Sequence, residues 1–351
     1  MARLLRLEQA GAWYHITARG NERRAIYRDE RDRRHFLELL PGWLERFRTR
    51  LHAYVLMENH YHLLLETCEA NLSRAMQWLN TSYSVWFNRR HQRAGHLFQG
   101  RFKAVMVEPE SWALALSRYI HLNPVRLKRL GLAKGAQRAQ RQGVSDAPDP
   151  RLVKQRLDEL RRYRWSSYRA YAGWEKPPAW LESQTVLGLG GGRPAIRRQR
   201  YREYVENAVR EGIAGQPWEG LIARLVLGSR EFVEKLIAPP TNSPKGQELR
   251  KSLAQRPSFA AVVKAVERLK GESWKVFRDR HGDSGRELAL QLGRELCGLT
   301  LTQLGRESGA ASSMAVSTAL KRFRGRLDKD KTLASALRQA KSALVHETNS
   351  L

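Results

Sequence analysis

Along the first 126 residues, apolar positions switch between a two-residue and a helical period in a regular order. Trp13 to Ala18 reads as a strand that ends in the turn Arg19-Gly20-Asn21. From Asp29 to about Arg48, Phe36, Leu39, Leu40, Trp43, Leu44 and Phe47 recur at helical spacing. Leu51 to Met57 and His60 to Glu66 are two further strands across a tight Glu58-Asn59 turn. Asn71 caps a helix carrying Met76, Leu79, Tyr83 and Phe87. Ala104 to Glu108 predicts a fourth strand, and Ser111 to about Asn123 a third helix. Pro124 stops that helix, because it has no N–H and disfavours helical geometry in the residue before it. The order strand-helix-strand-strand-helix-strand-helix predicts an α+β fold, a ferredoxin-like antiparallel sheet with helices on one face.

Beyond this the pattern turns helical. Gly131 to Asp149 reads as a loop, Arg151 to Tyr163 as a basic helix leading into Trp165-Ser166-Ser167-Tyr168. Pro177-Pro178 and the Gly188 to Gly192 run mark a junction, and Pro239 to Pro244 a second linker. Tyr201 to Leu236 is helical in pattern, broken at Gly212 to Pro217, and Ser258 onward is mostly helical. We therefore expect a first domain over 1–175, a connecting region over 176–244 and an all-α C-terminal region over 245–351.

The His60-Tyr61-His62 triplet carries the clearest chemistry. On a strand, residues two apart share a face, so both imidazoles project together as half of a divalent metal site. The plain alternative, a pair of hydrogen-bonded structural histidines, is equally consistent with the triplet alone. Tyr119 and Asn123 stand four apart on one face of the third helix, where a tyrosine could reach the sheet or simply fill a core with Asn123 as a cap. His15 reads as a strand core residue rather than a ligand, and His121, turned away from Asn123, as a surface or DNA-facing group.

His60-Tyr61-His62 with a single helix tyrosine at Tyr119 resembles the single-tyrosine HUH nucleases and transposases. Tyr14 to Arg24, Phe98-Gln99-Gly100-Arg101-Phe102-Lys103, Arg118 to Arg126 and Trp165 to Tyr171 occur in the order seen in the REP-associated tyrosine transposases of that group. One departure is Glu58, where many relatives have proline. The resemblance implies Tyr119 as nucleophile and His60, His62 and Asn123 as ligands of Mg²⁺ or Mn²⁺. It also implies single-stranded DNA and DNA hairpins as partners. Arg19, Asn21, Arg101, Lys103 and Arg126 are expected to contact DNA. Further on, Arg286 to Leu296, a short helix after Thr300, a turn at Gly309 and a basic helix with Lys321, Arg322, Arg324 and Arg326 follow the helix-turn-helix plan over about 286–326. This stretch resembles the DNA-binding region of DnaA-type replication initiators. A helical hairpin with a solvated basic face is its alternative.

Charge agrees with a nucleic-acid partner. Lys and Arg number 63 against 35 acids, a formal net charge of +28, dense between Lys128 and Arg164 and again from Arg193 to Arg202. Two cysteines, Cys68 and Cys297, argue against a disulfide framework or a cysteine zinc site. No apolar run approaches the ~20 residues that cross a bilayer, and the start carries no signal-peptide core, so a cytoplasmic protein is expected. A monomer is favoured over a dimer. The expected activity is that of a metal-dependent single-strand DNA endonuclease and strand transferase, acting through a 5′-phosphotyrosine. The rivals are a non-catalytic DNA-binding regulator on the same fold and an RNA-binding protein.

Overall fold

In the strand His60–Thr67 (β3), every second side chain points the same way, and both sides are buried. That is possible only if both faces of the sheet are covered. The computed structural model describes residues 7–126, 149–210, 218, 221–222, 225–237, 257–280, 282–299, 301–309, 313–327 and 330–349. It divides into two compact units, residues 1–217 and 218–351.

In the first unit, β1 (Ala12–Arg19), α1 (Glu30–Arg46), β2 (Thr49–Met57), β3, α2 (Leu72–Arg90) and β4 (Lys103–Val107) form the ferredoxin-like arrangement. The strands lie in the order β2-β3-β1-β4, every neighbouring pair antiparallel. The helix α3 (Pro109–His121) follows, and a 3-10 turn over Asn123–Val125 ends it beside Pro124.

Register decides which residues share a face. Thr17 pairs with His62, His15 with Leu64 and Arg19 with His60, while Ala18 pairs with Tyr61 and Ile16 with Leu63. The Ile16, Tyr61, Leu63 face packs under α1 and α2. There Phe36 meets Tyr61 at 5.0 Å between ring centroids, and the Tyr61 hydroxyl donates to Asn80 Oδ1 at 2.5 Å. Trp43 Nε1 ties the two helices by donating to the Ala75 carbonyl at 2.8 Å. The expectation of helices on one face holds for α1 and α2 but not for α3. Tyr119 of α3 stands 6.0 Å from the His15 ring, on the opposite, histidine-bearing face. A helix that presents a side chain to His62 has to lie on that side.

Two smaller expectations are corrected. Asn71 occupies the N-cap position of α2 without a side-chain cap, and its amide instead donates to the Phe47 carbonyl at 3.0 Å. His121 is wholly buried rather than on the surface. Its Nε2 lies 2.7 Å from Ser167 Oγ and its Nδ1 2.7 Å from the Tyr201 hydroxyl. Tyr201 in turn donates to Ser117 Oγ at 2.8 Å. Periodicity places His121 on the far side of α3 from the sheet site; it cannot show that later segments cover that side.

Those segments are α4 (Pro150–Arg162), residues 165–190 and α5 (Arg197–Arg210). The stretch after α4 covers the exposed edge of β2. Leu56 N–H donates to the Trp165 carbonyl at 2.8 Å, and Ser167 N–H to the Tyr54 carbonyl at 3.0 Å. Such cover removes an unpaired strand edge. The break expected at 175 therefore falls inside the first unit, which runs to residue 217. The loop expected at Gly131 to Asp149 lies almost entirely outside the described residues.

The second unit opens with a short antiparallel pair, β5 (Leu221–Ile222) and β6 (Val226–Leu227), inside the stretch whose pattern reads as helical. Helices follow at α6 (Arg230–Ile237), α7 (Phe259–Lys270), α8 (Ser284–Glu295), α9 (Leu301–Glu307), α10 (Ser313–Leu327) and α11 (Lys331–Asn349). Their shared core includes Val262, Leu288, Leu292, Leu304, Leu320 and Phe323. Asp283 caps α8, accepting from Gly285 N at 2.8 Å. Gly298 and Gly309, at φ +70° and +65°, make the turns around α9 that a Cβ would strain. Thr300, after which the short helix is expected, lies outside the described residues. The Glu287 carboxylate is buried and faces Arg326 at 3.1 Å and Arg322 at 3.8 Å. These two arginines tie α10 to α8.

The His121 cluster makes a quantitative expectation. Replacing His121 by alanine empties a buried site and strips hydrogen bonds from Ser167 and Tyr201, which should cost about 2–4 kcal/mol of first-unit stability. Tyr201→Phe, which removes one hydroxyl, should cost about 1–2 kcal/mol. Urea unfolding measures both, and losses below the error of extrapolation would show that the cluster carries no stability.

Candidate active site

The histidine face of the sheet assembles the site. β3 brings His60 and His62, β1 brings His15, Thr17 and Arg19, and α3 brings Tyr119. The His60 and His62 rings lie 5.0 Å apart, and the Tyr119 ring meets His62 edge-on at 5.8 Å. The Arg126 guanidinium sits over the Tyr119 ring, 4.2 Å from its centroid. A cation there is attracted to the π face of the ring.

Each strand histidine is held through Nδ1. His62 Nδ1 lies 2.9 Å from His15 Nε2 and 3.2 Å from Thr17 Oγ1. His60 Nδ1 lies 2.7 Å from Asn59 Oδ1. Since an amide oxygen only accepts, His60 must carry its proton on Nδ1, leaving Nε2 with the lone pair. Asn59 is itself fixed: its amide nitrogen donates to the Arg23 carbonyl at 2.8 Å, and its own carbonyl accepts from Gly20 N at 2.8 Å. Glu22 and Arg23 both adopt left-handed backbone, φ 54° and 61°, in the turn that receives this bond.

Burial sets the charge state. It pushes the His15 imidazole down to about 3. His60 falls to about 4 through burial and then the Arg19 charge. His62 lies well below the ordinary histidine range, through burial first and then its histidine neighbours, Arg126 and Arg19. All three are therefore neutral at neutral pH, the form that binds a metal.

The donor set fits a divalent cation. Nδ1 is occupied on both strand histidines, leaving Nε2 of each to coordinate, and partners of this kind fix the tautomer and orientation of metal-binding imidazoles. Asn123 donates its amide nitrogen to the Tyr119 and Ile120 carbonyls at 2.9 and 3.2 Å, so its oxygen is the end of the amide that can accept a cation. Among the described residues, no group of three or more His, Cys, Asp or Glu side chains is disposed to hold a metal ion. A third protein ligand would thus have to be an oxygen of another kind, such as this amide.

Comparison with known proteins bears on the same region. Residues 8–123 match the family described as Transposase IS200 like. Over these residues the first unit is similar to IS200-like transposases. It is an enzyme domain, and its family match spans the four strands and α3 with Tyr119. No curated protein matches the chain. Among solved structures, that of a REP-associated tyrosine transposase bound to a REP hairpin is similar at 17% identity, over 43% of this chain and 89% of that chain, with a TM-score of 0.31.

Within the first unit, the expected DNA-contacting residues sit differently. Arg19 is exposed beside His60, its register partner. Lys103 is exposed and pairs with Thr17, so it shares the histidine face. Arg126 covers Tyr119. Arg101 is exposed ahead of β4, and Asn21 is anchored through its backbone N–H to the Leu97 carbonyl at 2.9 Å. Arg322 is drawn to Glu287 in the second unit, and the side chains of Lys321 and Arg324 lie outside those described. Glu58 presents only its backbone to the neighbouring turn, its carbonyl accepting from Ile26 and Tyr27 N–H at 3.0 and 3.2 Å. Any residue can supply that carbonyl. His15, Thr17 and Asn59 are the site residues that sequence reading missed. Alternation along Trp13, His15, Thr17 and Arg19 is visible in the sequence, but only the β1–β3 register shows that this row faces His62.

The Asn59 contact has a direct spectroscopic consequence. Asn59→Ala should release His60 from its Nδ1–H tautomer, so that ¹⁵N ring shifts of His60 move toward a tautomer mixture while those of His62 stay put. A spectrum unchanged at His60 would show that Asn59 does not orient it.

Proposed function

We propose that this chain is a single-strand DNA endonuclease and strand transferase of the REP-associated tyrosine kind, with Tyr119 as nucleophile. The observation that carries the reading is the placement of Tyr119 edge-on to His62, beneath the Arg126 guanidinium and on the histidine face of the sheet. A nucleophilic hydroxyl beside neutral imidazoles and two arginines suits attack on a phosphodiester.

In the proposed reaction the Tyr119 oxygen bonds to the scissile phosphorus as the bond to the 3′ oxygen breaks. The phenol proton is lost to solvent and the 3′ oxygen gains one, leaving a 5′-phosphotyrosine and a free 3′-hydroxyl. Because the phosphodiester energy is kept in the tyrosyl bond, another 3′-hydroxyl can reverse the step and join strands. Arg126 lies against the Tyr119 ring, Arg19 and Lys103 border the same face, and all three would hold the strand. His60, His62 and Asn123 would hold Mg²⁺ or Mn²⁺, which neutralises charge on the scissile phosphate. His15, Thr17 and Asn59 keep the two imidazoles oriented.

The substrate we propose is single-stranded DNA next to hairpins. The RNA-binding rival calls for exposed aromatics on the sheet, but Tyr61 is buried under α1 and α2, and the opposite face carries the histidines and α3. In the second unit, α8 to α10 supply the short helix, glycine turn and basic helix of a helix-turn-helix, which we assign to duplex binding. Because Arg322 and Arg326 meet Glu287, Lys321 and Arg324 are the better candidates for phosphate contact.

Tyr119→Phe tests the nucleophile. It should abolish SDS-resistant protein–DNA adducts while leaving binding of a labelled hairpin with a single-stranded flank nearly unchanged. An adduct formed by the phenylalanine variant would remove Tyr119 from the role. Calorimetric Mn²⁺ titration tests the ligands: His60→Ala and His62→Ala should each lose most affinity, Asn123→Ala less, and Asn59→Ala about 10- to 100-fold. Equal Mn²⁺ binding by wild type and the double histidine variant would return the pair to a purely structural role, and with it the non-catalytic rival. Finally, Lys321→Gln with Arg324→Gln should lower the slope of log affinity against log salt for duplex DNA by about 0.9 per lost contact. An unaltered slope would favour the helical-hairpin alternative.

A further inference from the structure

Outside the family-matched residues, Trp174 presents an exposed indole on the first unit. It is 37% exposed, in a protein that buries most of its large apolar side chains. It does not hang loose. Its backbone N–H donates to the Arg169 carbonyl at 3.0 Å, and its ring stands edge-to-face on the buried Tyr168 at 5.6 Å. The preceding Gly173 takes φ +83°, a conformation that lets the chain turn the indole outward.

Arginines surround this ring. The guanidinium carbons of Arg161 and Arg202 each lie 5.9 Å from its centroid. Arg198, one turn before Arg202 on α5, runs along Gly173, its Cδ 3.5 Å from where a Cβ would stand. Two of the carboxylates nearby are already paired. Glu206 is gripped by Arg161 and Arg210 at 2.6 and 2.8 Å, and Glu175 by Arg169 at 2.5 Å. Glu203 accepts from Gln199 at 3.0 Å. Among the described residues no ion pair joins Arg198 or Arg202 to a carboxylate, and both stand beside an indole that is partly open.

We propose that Trp174, Arg198 and Arg202 form a second nucleic-acid contact, a single-strand platform separate from the Tyr119 site. An unpaired base stacks on the indole while the two arginines take the adjoining phosphates. A fixed aromatic ring flanked by cations is what sequence-tolerant single-strand binding requires, since every base has a π face and every linkage a charge. An exposed Trp also costs solubility unless a partner covers it, whereas arginines alone would serve a duplex equally well. The platform rests on the reading of DNA as partner, but not on cleavage.

The test is fluorescence anisotropy of a labelled oligothymidine in EDTA, where no strand is cut, with the full-length protein. Trp174→Ala should weaken binding about 5- to 150-fold, the range for loss of one base–aromatic stack, and Trp174→Phe should retain most of the affinity. Arg198→Gln with Arg202→Gln should lower the slope of log affinity against log salt by about 1.4, or 0.7 for each phosphate released. These two arginines are partly solvent-exposed, so this variant decides the matter if Trp174→Ala does not fold by circular dichroism. Folded variants that bind oligothymidine as wild type does, with an unchanged slope, overturn the platform. So does an equal loss for a blunt duplex of the same length, which would leave charge without stacking. Tyr119→Phe serves as the control. With the control binding oligothymidine as wild type does, wild-type protein that forms no adducts in Mn²⁺ yet binds through Trp174 refutes the cleavage reading alone, and wild type that forms adducts with Trp174-independent binding refutes the platform alone.

Discussion

The pairing of β1 with β3 is the constraint on which the site depends. With Thr17 opposite His62, the rows His15, Thr17, Arg19 and His60, His62 share one face, and Ile16, Ala18, Tyr61 and Leu63 share the other. A slip of one residue would send the histidines into the apolar layer beneath α1 and α2 and expose Tyr61 and Leu63. Burying those groups, each fully buried aliphatic or aromatic worth about 1.5–3 kcal/mol, therefore holds the histidines in place as well. The core of this sheet and the chemistry on it are set by the same register.

The second support is polar. α3 is clamped by Ser117, His121, Tyr201 and Ser167, a hydrogen-bonded chain that ends on the backbone of β2 at Tyr54. In a dry interior each member has its partners, so the chain orients the helix without leaving an unpaired group. Tyr119 stands two residues before His121 and on the opposite side of the helix. The distance from tyrosine to His62 is thus governed by apolar packing and by this polar chain. The Trp165-Ser166-Ser167 segment acquires a physical meaning here. It closes the edge of β2 and supplies the hydroxyl that meets His121.

Charge is distributed in a way the bulk value of +28 does not convey. Some arginines are structural: Arg161 and Arg210 neutralise the buried Glu206, and Arg322 and Arg326 meet the buried Glu287. Others border the histidine face, as Arg19 and Arg126 do, where they also help to keep the imidazoles neutral. Arg198 and Arg202, beside Trp174, make no ion pair among the described residues. Sorting cations by what they face separates those that hold the fold from those available to a polyanion.

The elements of the first unit, their order and the shared face of His60 and His62 are legible in the sequence, because strand and helix periods are local properties of the chain. So is the end of α3 near Pro124, and so is the helical character of the C-terminal region with its glycine turns. What lies beyond local period came only from tertiary structure. The side of the sheet taken by α3, the burial of His121, and the roles of His15, Thr17 and Asn59 all depend on which segments meet across tens of residues. The same holds for α5, which a linker-like composition places outside the first domain but which Tyr201 brings into its core. The short pair β5–β6 was hidden for a related reason: two residues per strand are too few to show a period, and their pairing is a contact rather than a pattern. Periodicity names the face a residue points to, and only the packed chain decides what stands opposite.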